Sequence, residues 1–228
     1  MLDVAYTVRR SDRARHPRIE VRPDGVEVVV PRRMALRRVA PFVEEKQAWI
    51  ERSLRKLREA EAEVARVRLR DGGCVPFLGE EVDLWVWREP GRKRPHVALR
   101  DDGFTVKLPP RGDLRGALER WFRREAREEI AARLDDATAR AGVEYARLDI
   151  RGQRTRWASC SSESGAMSFN WRLLLAPEPV VDYVVEHEVA HLDIPDHSRR
   201  FWALLARRCP DYREHERWLR RYGPMLRL

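Results

Sequence analysis

Cysteine is scarce in this chain and odd in number, which limits the classes of protein to which the chain can belong. The three cysteines, Cys74, Cys160 and Cys209, lie far apart, and none forms a CxxC pair. A disulfide-stapled fold needs a denser, even-numbered set, and a thiolate zinc knuckle needs closely spaced pairs. The sequence therefore argues against both, and we expect a reducing, cytoplasmic setting.

Long apolar runs are also missing. Nowhere do about 18 apolar residues follow one another, as a membrane-spanning helix requires, and the first ten residues lack the apolar core of a signal peptide. Hydrophobic residues nevertheless make up 43% of the sequence. We therefore expect a globular protein without a membrane partner.

Lysine is rare as well, since only four of the 46 basic residues are lysines. The formal net charge is +9, but both signs are spread along the chain and no basic block stands out. A solvated surface is the simplest explanation. The charge permits a nucleotide or nucleic-acid partner, and it leaves the oligomeric state open.

Histidine, by contrast, is concentrated in one place. His187, His191 and His197 fall within eleven residues, and Glu188 follows the first of them. In a helix, residues four apart share a face, so His187 and His191 can direct their imidazoles at one point. Two imidazoles and a third ligand leave an open position on a tetrahedral zinc ion, as in catalytic sites. Glu188 then lies where a general base accepts a proton from the metal's water.

The third ligand has several candidates. His197 comes ten residues after His187, a spacing that zincins with three histidine ligands also use, and Ile194-Pro195-Asp196 must make the bend. The rivals are carboxylates: Asp193, Asp196 and Glu214. We favour His197 because imidazole suits zinc and the intervening chain is short.

The first half of the chain reads as short strands around one helix. Strands are predicted at residues 18–22, 26–30, 82–88, 97–100 and 104–108, with one long helix at 39–65. Pro109-Pro110-Arg111-Gly112 is the best boundary candidate. We predict a strand-rich part over residues 1–110 and a catalytic domain over residues 111–228.

The second half is predicted to carry the catalytic elements. They are a long helix after Asp113 that ends at Gly142, a hairpin of residues 156–161 and 166–170, the histidine-bearing helix at 177–192, and helices at 198–208 and 211–222. The hairpin directly precedes the histidine-bearing helix, where a zinc peptidase needs a sheet edge for an extended peptide. The predicted fold class is α+β: a zincin-like half preceded by a mainly antiparallel β part with one long helix.

Contacts with the substrate or the oxyanion have weaker candidates. Arg154, Arg156 and Arg172 are the nearest arginines, although a surface or structural role is more common for such residues. Cys160 is best explained as a small buried thiol.

Four segments carry a family resemblance: Arg156–Ser161, Phe169–Leu174, Asp182–His191, and His197-Ser198 with Phe201-Trp202. They closely resemble the YgjP-like zinc metallopeptidases, which are related to the WLM and SprT-like proteases. The resemblance spans about residues 111 to 223 and extends more weakly over the preceding strands and helix. It implies zinc ligands at His187, His191 and His197 and a catalytic Glu188. Ala158 stands where the family usually has glycine.

Three functions compete at this point. The first is a zinc-dependent peptidase that hydrolyses an extended polypeptide. The second is a metal-dependent nucleotide pyrophosphohydrolase, an activity proposed for the family, with Arg154 and Arg156 binding phosphate. Phosphate chemistry more often uses carboxylate-bound magnesium or paired metals, so three histidines favour the peptidase. The third is a DNA-associated protein, either a SprT-like protease or a DNA-binding module with a structural zinc.

Overall fold

In a computed structural model, the strands and the helices follow one another along the chain in groups. The structure describes residues 5–23, 25–63, 67–153 and 156–228. These residues form ten strands in three sheets and six α-helices, so the predicted α+β class is confirmed. Contacts divide the chain into two compact units, Met1–Val64 and Ala65–Leu228. No helix within the described residues has both the length and the apolar character that a membrane crossing requires.

The first unit contains a three-stranded sheet in the order β1-β3-β2. Its strands are β1 (Tyr6–Ser11), β2 (Arg18–Arg22) and β3 (Gly25–Pro31). The predicted β2–β3 hairpin is antiparallel, whereas β1, which was not predicted, runs parallel to β3. Val26, Val28 and Val30 alternate along β3 into a small core that also contains Ile50. Asp24 of the predicted turn lies outside the described residues.

The single helix predicted over residues 39–65 is wrong in one respect, because the structure divides it into α1 (Val39–Glu45) and α2 (Gln47–Glu63). Between them, the Lys46 backbone N–H donates to the Val43 carbonyl, three residues back, at 3.0 Å. That tighter turn interrupts the regular helical hydrogen-bond series. The end of the predicted helix, residues 64 and 65, lies outside the described residues.

The second unit begins with a four-stranded sheet in the order β4-β5-β7-β6. The strands are β4 (Gly73–Phe77), β5 (Glu80–Arg88), β6 (His96–Arg100) and β7 (Gly103–Leu108). The β5–β7 pair is parallel and the other two pairs are antiparallel. One face of this sheet packs on helix α3 (Leu114–Ala141), where the Phe104 and Trp121 ring centroids are 4.8 Å apart. Residues on both sides of position 110 thus belong to the second unit, and the domain division there stays a prediction.

Helix α3 ends as the sequence predicts, at a glycine whose backbone is left-handed (Gly142, φ +68°). Asp113 precedes the helix, but its side chain makes no capping hydrogen bond there. The helix buries a long apolar face in the main core, including Leu118, Phe122 and Ile130.

A third sheet, in the order β8-β10-β9, precedes the histidine-bearing helix. Its strands are β8 (Arg147–Arg151), β9 (Ala158–Ser161) and β10 (Ala166–Asn170). The predicted hairpin is β9–β10, and β8 joins it by parallel pairing with β10. Three helices follow near their predicted positions: α4 (Glu178–Asp193), α5 (Arg199–Arg208) and α6 (Tyr212–Tyr222). Strand β9 lies at the sheet edge and contacts α4.

Candidate metal centre

Helix α4 is buried on most of its surface, which holds its polar side chains in defined places. Its valines enter the main core, among them Val181, Val185 and Val189. On the side facing α3, Arg133 bonds to Asp182 at 3.0 Å and to Glu178 at 3.1 Å. This ion-pair cluster fixes the first turn of α4 against the preceding long helix.

The helical pattern predicts that Asp182 and Glu186 share a polar, solvated face of α4. In the structure, however, the two side chains differ in exposure. Asp182 is exposed, but Glu186 is only 7% exposed. Its Oε1 accepts from Arg140 of α3 at 2.7 Å, while its Oε2 has no hydrogen-bond partner among the described residues. Burial of this carboxylate depends on an arginine 46 residues away, which no local pattern reveals.

The structure brings His187, His191 and His197 together. One ring nitrogen from each lies within 4.8 Å of the other two, and among the described residues they form the one such group of three metal-binding side chains. The Nε2 atoms of His187 and His197 are 3.1 Å apart. Ligands on a tetrahedral zinc, each about 2.0–2.1 Å from the ion, stand at a similar separation. The group therefore has the dimensions of a metal site.

The carboxylate rivals for the third ligand have other roles. Asp193 is bonded to Arg208 at 2.6 Å, and Asp196 accepts from the Ser198 backbone N–H at 3.1 Å. Glu214, on α6, is exposed and does not belong to the histidine group. The turn at residues 194–196 makes the bend that returns His197 to α4.

Ring orientation follows from the remaining hydrogen bonds. His191 Nδ1 lies 3.1 Å from the Ile194 carbonyl oxygen, which can only accept, so the proton of the neutral ring belongs on Nδ1. His191 Nε2 is then free to bind a metal ion. His187 Nδ1 is buried and makes no hydrogen bond to the described residues, so its ring meets the other histidines through Nε2.

Two aromatic residues of α5 surround the histidines, and sequence reasoning used them only as family markers. Phe201 is fully buried, and its ring centroid lies 5.0 Å from that of His187, 4.5 Å from His191 and 4.9 Å from His197. Trp202 is half-buried and lies 5.6 Å from His197. The adjacent Phe-Trp pair just after His197 was the available signal.

This apolar setting keeps the His187 and His191 imidazoles neutral. Burial, together with the nearby His191 and His197 rings, lowers the pKa of His187 from 6.5 to about 3. Burial also lowers the pKa of His191. Because a metal ion binds the neutral ring, the lowered pKa values of His187 and His191 fit a metal ion bound where the three imidazoles converge.

Glu188 lies on a different side of α4, against strand β9. It is 7% exposed, and burial raises the pKa of its carboxyl to about 7. Two contacts oppose that rise: the Cys160 backbone N–H donates to the carboxylate, and the Arg156 guanidinium acts electrostatically. The carboxylate is thus held between the metal-binding helix and the sheet edge.

Strand β9 presents its outer edge beside this carboxylate. Asn170 N–H donates to Trp157 O, and the register pairs Ser159 with Ser168, so the intervening Ala158 and Cys160 point their backbone groups away from β10. The bond from Cys160 N–H to Glu188 agrees with that direction. The expected open edge next to the histidine-bearing helix is present.

The three candidate arginines have separate places. Arg156 is exposed and acts electrostatically on Glu188. The Arg172 guanidinium lies over the Trp171 ring, 4.6 Å from its centroid. Arg154 lies outside the described residues. Burial, with the charge of Glu188, raises the pKa of the Cys160 thiol to about 11, which makes this thiol a poor nucleophile or ligand.

Comparisons with known proteins give one family match and one partly similar solved structure. A family model described as YgjP-like, metallopeptidase domain, matches residues 15–222. A crystal structure of the metallopeptidase zymogen of Pyrococcus abyssi abylysin is 23% identical to this chain, with a TM-score of 0.38. That match covers 41% of this chain and 95% of the abylysin chain. A comparison with curated proteins finds no significant match.

Proposed function

The chain belongs to the YgjP-like metallopeptidase family, and we propose that it uses a zinc ion to hydrolyse peptide bonds in extended polypeptides. The observation that carries the proposal is the convergence of three imidazoles next to a buried glutamate and an open strand edge. The imidazoles provide the metal site, the glutamate provides a proton carrier, and the edge provides a place for the substrate backbone.

The donor set supports zinc. His187, His191 and His197 offer three imidazole nitrogens, with no thiolate or carboxylate in the group, and imidazole donors suit zinc better than magnesium or calcium. A three-histidine set leaves a position for a reactant, as catalytic zinc sites require. When bound, zinc polarises a carbonyl oxygen and lowers the pKa of water.

Glu188 is the residue that we propose to carry the proton. Its carboxylate follows the first ligand directly and is buried against β9, so it stands between the metal site and the substrate edge. There it can accept a proton from the attacking water and donate it to the nitrogen of the leaving amine. Arg156 supplies a nearby positive charge that can balance negative charge in the cleft.

Strand β9 is the proposed binding edge for the substrate. The outward backbone groups of Ala158 and Cys160 can pair with an extended peptide as if it were an added strand. Since the Cys160 N–H donates to Glu188, an added strand would compete for that donor and leave the carboxylate free to act. Substrate binding would thus release the Glu188 carboxylate from its hydrogen bond with Cys160.

The test is Glu188→Gln, which keeps the shape of the side chain and removes its basicity. We expect wild-type zinc content and a loss of peptide hydrolysis of about 10²–10⁴-fold, the usual contribution of a general acid-base group. Zinc is measured by elemental analysis, and hydrolysis with fluorescent peptides and an unfolded protein. Asp182→Asn, on the exposed side of the same helix, is the matched control and keeps its activity.

Nucleoside triphosphates are tested in parallel. Pyrophosphate release that disappears in Glu188→Gln, without any peptide cleavage by the wild type, would assign the site to nucleotide hydrolysis instead. Full peptide turnover by Glu188→Gln at normal zinc content would contradict the role of this glutamate. His197→Ala, which should lose both metal and activity, serves as the zinc-free reference. The zinc content of Glu188→Gln is compared with it.

A further inference from the structure

The four-stranded sheet of the second unit carries two exposed tryptophans that the metal site does not use. Trp85 and Trp87 are 37% and 47% exposed. They stand two residues apart on β5, so both project from the same face of the sheet. The opposite face of β5 carries Leu84, which is fully buried in the main core. Large exposed indoles on a well-packed sheet are unusual enough to require an explanation.

Strand register identifies the neighbours of the two indoles. Trp85 is paired with Thr105 and Trp87 with Lys107 on β7. On the next strand, Lys107 is paired with His96, and Thr105 with Ala98. We call this surface the aromatic face; it consists of Trp85, Trp87, Ala98, Thr105, Lys107 and His96. Because β5 and β7 are the inner strands of the sheet, the face offers side chains rather than a free backbone edge.

One indole of the aromatic face is anchored, and the sheet behind it is well packed. The Trp85 indole N–H donates to the Asp102 carbonyl at 3.1 Å, which holds that ring in place. Behind the sheet, Phe104 packs edge-on against Trp121 of α3 at 4.8 Å between ring centroids. A ring that is already held, such as Trp85, loses little conformational entropy when a flat ligand stacks on it.

Positive charge collects at one end of the face. Lys107 lies beside Trp87 on the neighbouring strand, and the loop that leads into β6 contains Arg92-Lys93-Arg94. Glu89 contacts both Arg92 at 2.7 Å and Lys107 at 3.7 Å. Lys93 and Arg94 are exposed and make no ion pair within the described part of the chain. The Trp85 end is acidic by comparison, with Asp83 on β5 and Asp101-Asp102 in the β6–β7 turn.

We propose that the aromatic face binds a single-stranded nucleic acid, with bases stacked on Trp85 and Trp87 and phosphates beside Lys107 and the 92–94 loop. Residues two apart on a strand are separated by about 6.6 Å, roughly twice the 3.4 Å spacing of stacked bases, so each indole can hold its own base. Aromatic side chains on a four-stranded sheet, with cations alongside, are a recurrent platform for single strands. RNA and DNA share the base faces and phosphates used here.

A protein partner fits this surface less well. On β7 the two indoles are bordered by Thr105 and Lys107, so the apolar area is small. The inner position of β5 leaves no edge for strand addition. A duplex hides its base faces and cannot stack on the indoles. The exposed cations at the Trp87 end favour a ligand with repeated negative charge. The proposal is independent of the metal site.

Fluorescence anisotropy with the full chain tests the proposal, using labelled twelve-nucleotide oligo(U) and oligo(dT) in about 50 mM salt. We expect micromolar or tighter binding of at least one, and at least tenfold weaker binding by Trp87→Ala, since stacking is worth about 1–3 kcal/mol per base. Trp87→Phe should bind within about threefold of wild type because it keeps a ring. The double variant Lys93→Ala/Arg94→Ala should weaken binding and reduce its salt dependence.

Trp49→Ala is the matched control, since Trp49 is 44% exposed but lies in the first unit; its affinity should equal that of the wild type. Thermal unfolding checks that all variants remain folded. Absence of binding to either oligonucleotide, equal affinity of Trp87→Ala, or equal competition by duplex would overturn the proposal. A dimer that Trp87→Ala dissociates, without nucleic-acid binding, would assign the face to self-association and also overturn it.

Discussion

Phe201 contacts all three histidines, and its replacement tests whether packing around the metal site sets metal affinity. Phe201→Leu removes three carbon atoms from a side chain that is 0% exposed. At about 0.8 kcal/mol per buried carbon, the metal-free protein should lose about 2 kcal/mol of stability. The three rings now 4.5–5.0 Å from Phe201 should also gain freedom. We therefore expect about tenfold weaker zinc binding, the lower end of the effect of groups that orient ligands.

The assay compares Phe201→Leu with Phe104→Leu. Phe104 is also 0% exposed but packs against Trp121, on α3, rather than against the histidines. Urea unfolding of the metal-free proteins should give similar losses for both variants. Zinc titration against a chelating dye should show weaker binding for Phe201→Leu alone. Zinc affinity that is unchanged from wild type in both variants, or weakened equally in both, would refute the reasoning that the Phe201 ring positions the ligands.

Two further predictions concern charges around α4. Arg140→Met removes the cation 2.7 Å from the Glu186 carboxylate. Because the Arg140 side chain is 57% exposed, we expect the free energy of unfolding, measured in urea, to fall by about 1–2 kcal/mol, which is less than for a fully buried pair. Asp136→Asn, which removes the exposed partner of the same arginine, should change stability by less than about 0.5 kcal/mol, and equal effects would contradict the burial argument. The metal-free protein should lose stability as the pH falls from 6.5 toward about 3, because His187 stays neutral when folded and is protonated when unfolded. The free energy of unfolding should change by at most about 1.4 kcal/mol per pH unit. A His187→Gln variant whose stability falls as steeply with pH as that of the wild type would contradict this account.

Local patterns predicted the elements whose signals lie within a few residues. The glycine at position 142, the proline-rich segment before α3 and the histidine spacing on α4 each act over one or two turns. The hairpin of β9 and β10 is marked by its own turn at residues 163–165. The three histidines were therefore placed on the right elements, and the structure brings them together.

The features that escaped prediction depend on contacts between distant segments. Strands β1, β4 and β8 were missed; β1 and β8 take part through parallel pairing with later strands, and parallel pairing leaves no turn signal between neighbours. Burial of Glu186 requires Arg140 from another helix. The aromatic face has a strand-like alternation in the sequence, but only the sheet order shows that Trp85 and Trp87 lie on an inner strand.

Under the proposed function, the open edge of β9 bears on which polypeptides this site could attack. An edge strand recognises backbone N–H and C=O groups, and in a folded protein those groups are already engaged with one another. A polypeptide must therefore give up several residues of its own structure before it can pair with Ala158 and Cys160, and ordering each residue anew costs about 1–2 kcal/mol. Selection would then act on the conformational state of the target more than on its sequence. Folded proteins would not be cleaved, and a protein that misfolds or unravels would become a substrate by that event alone.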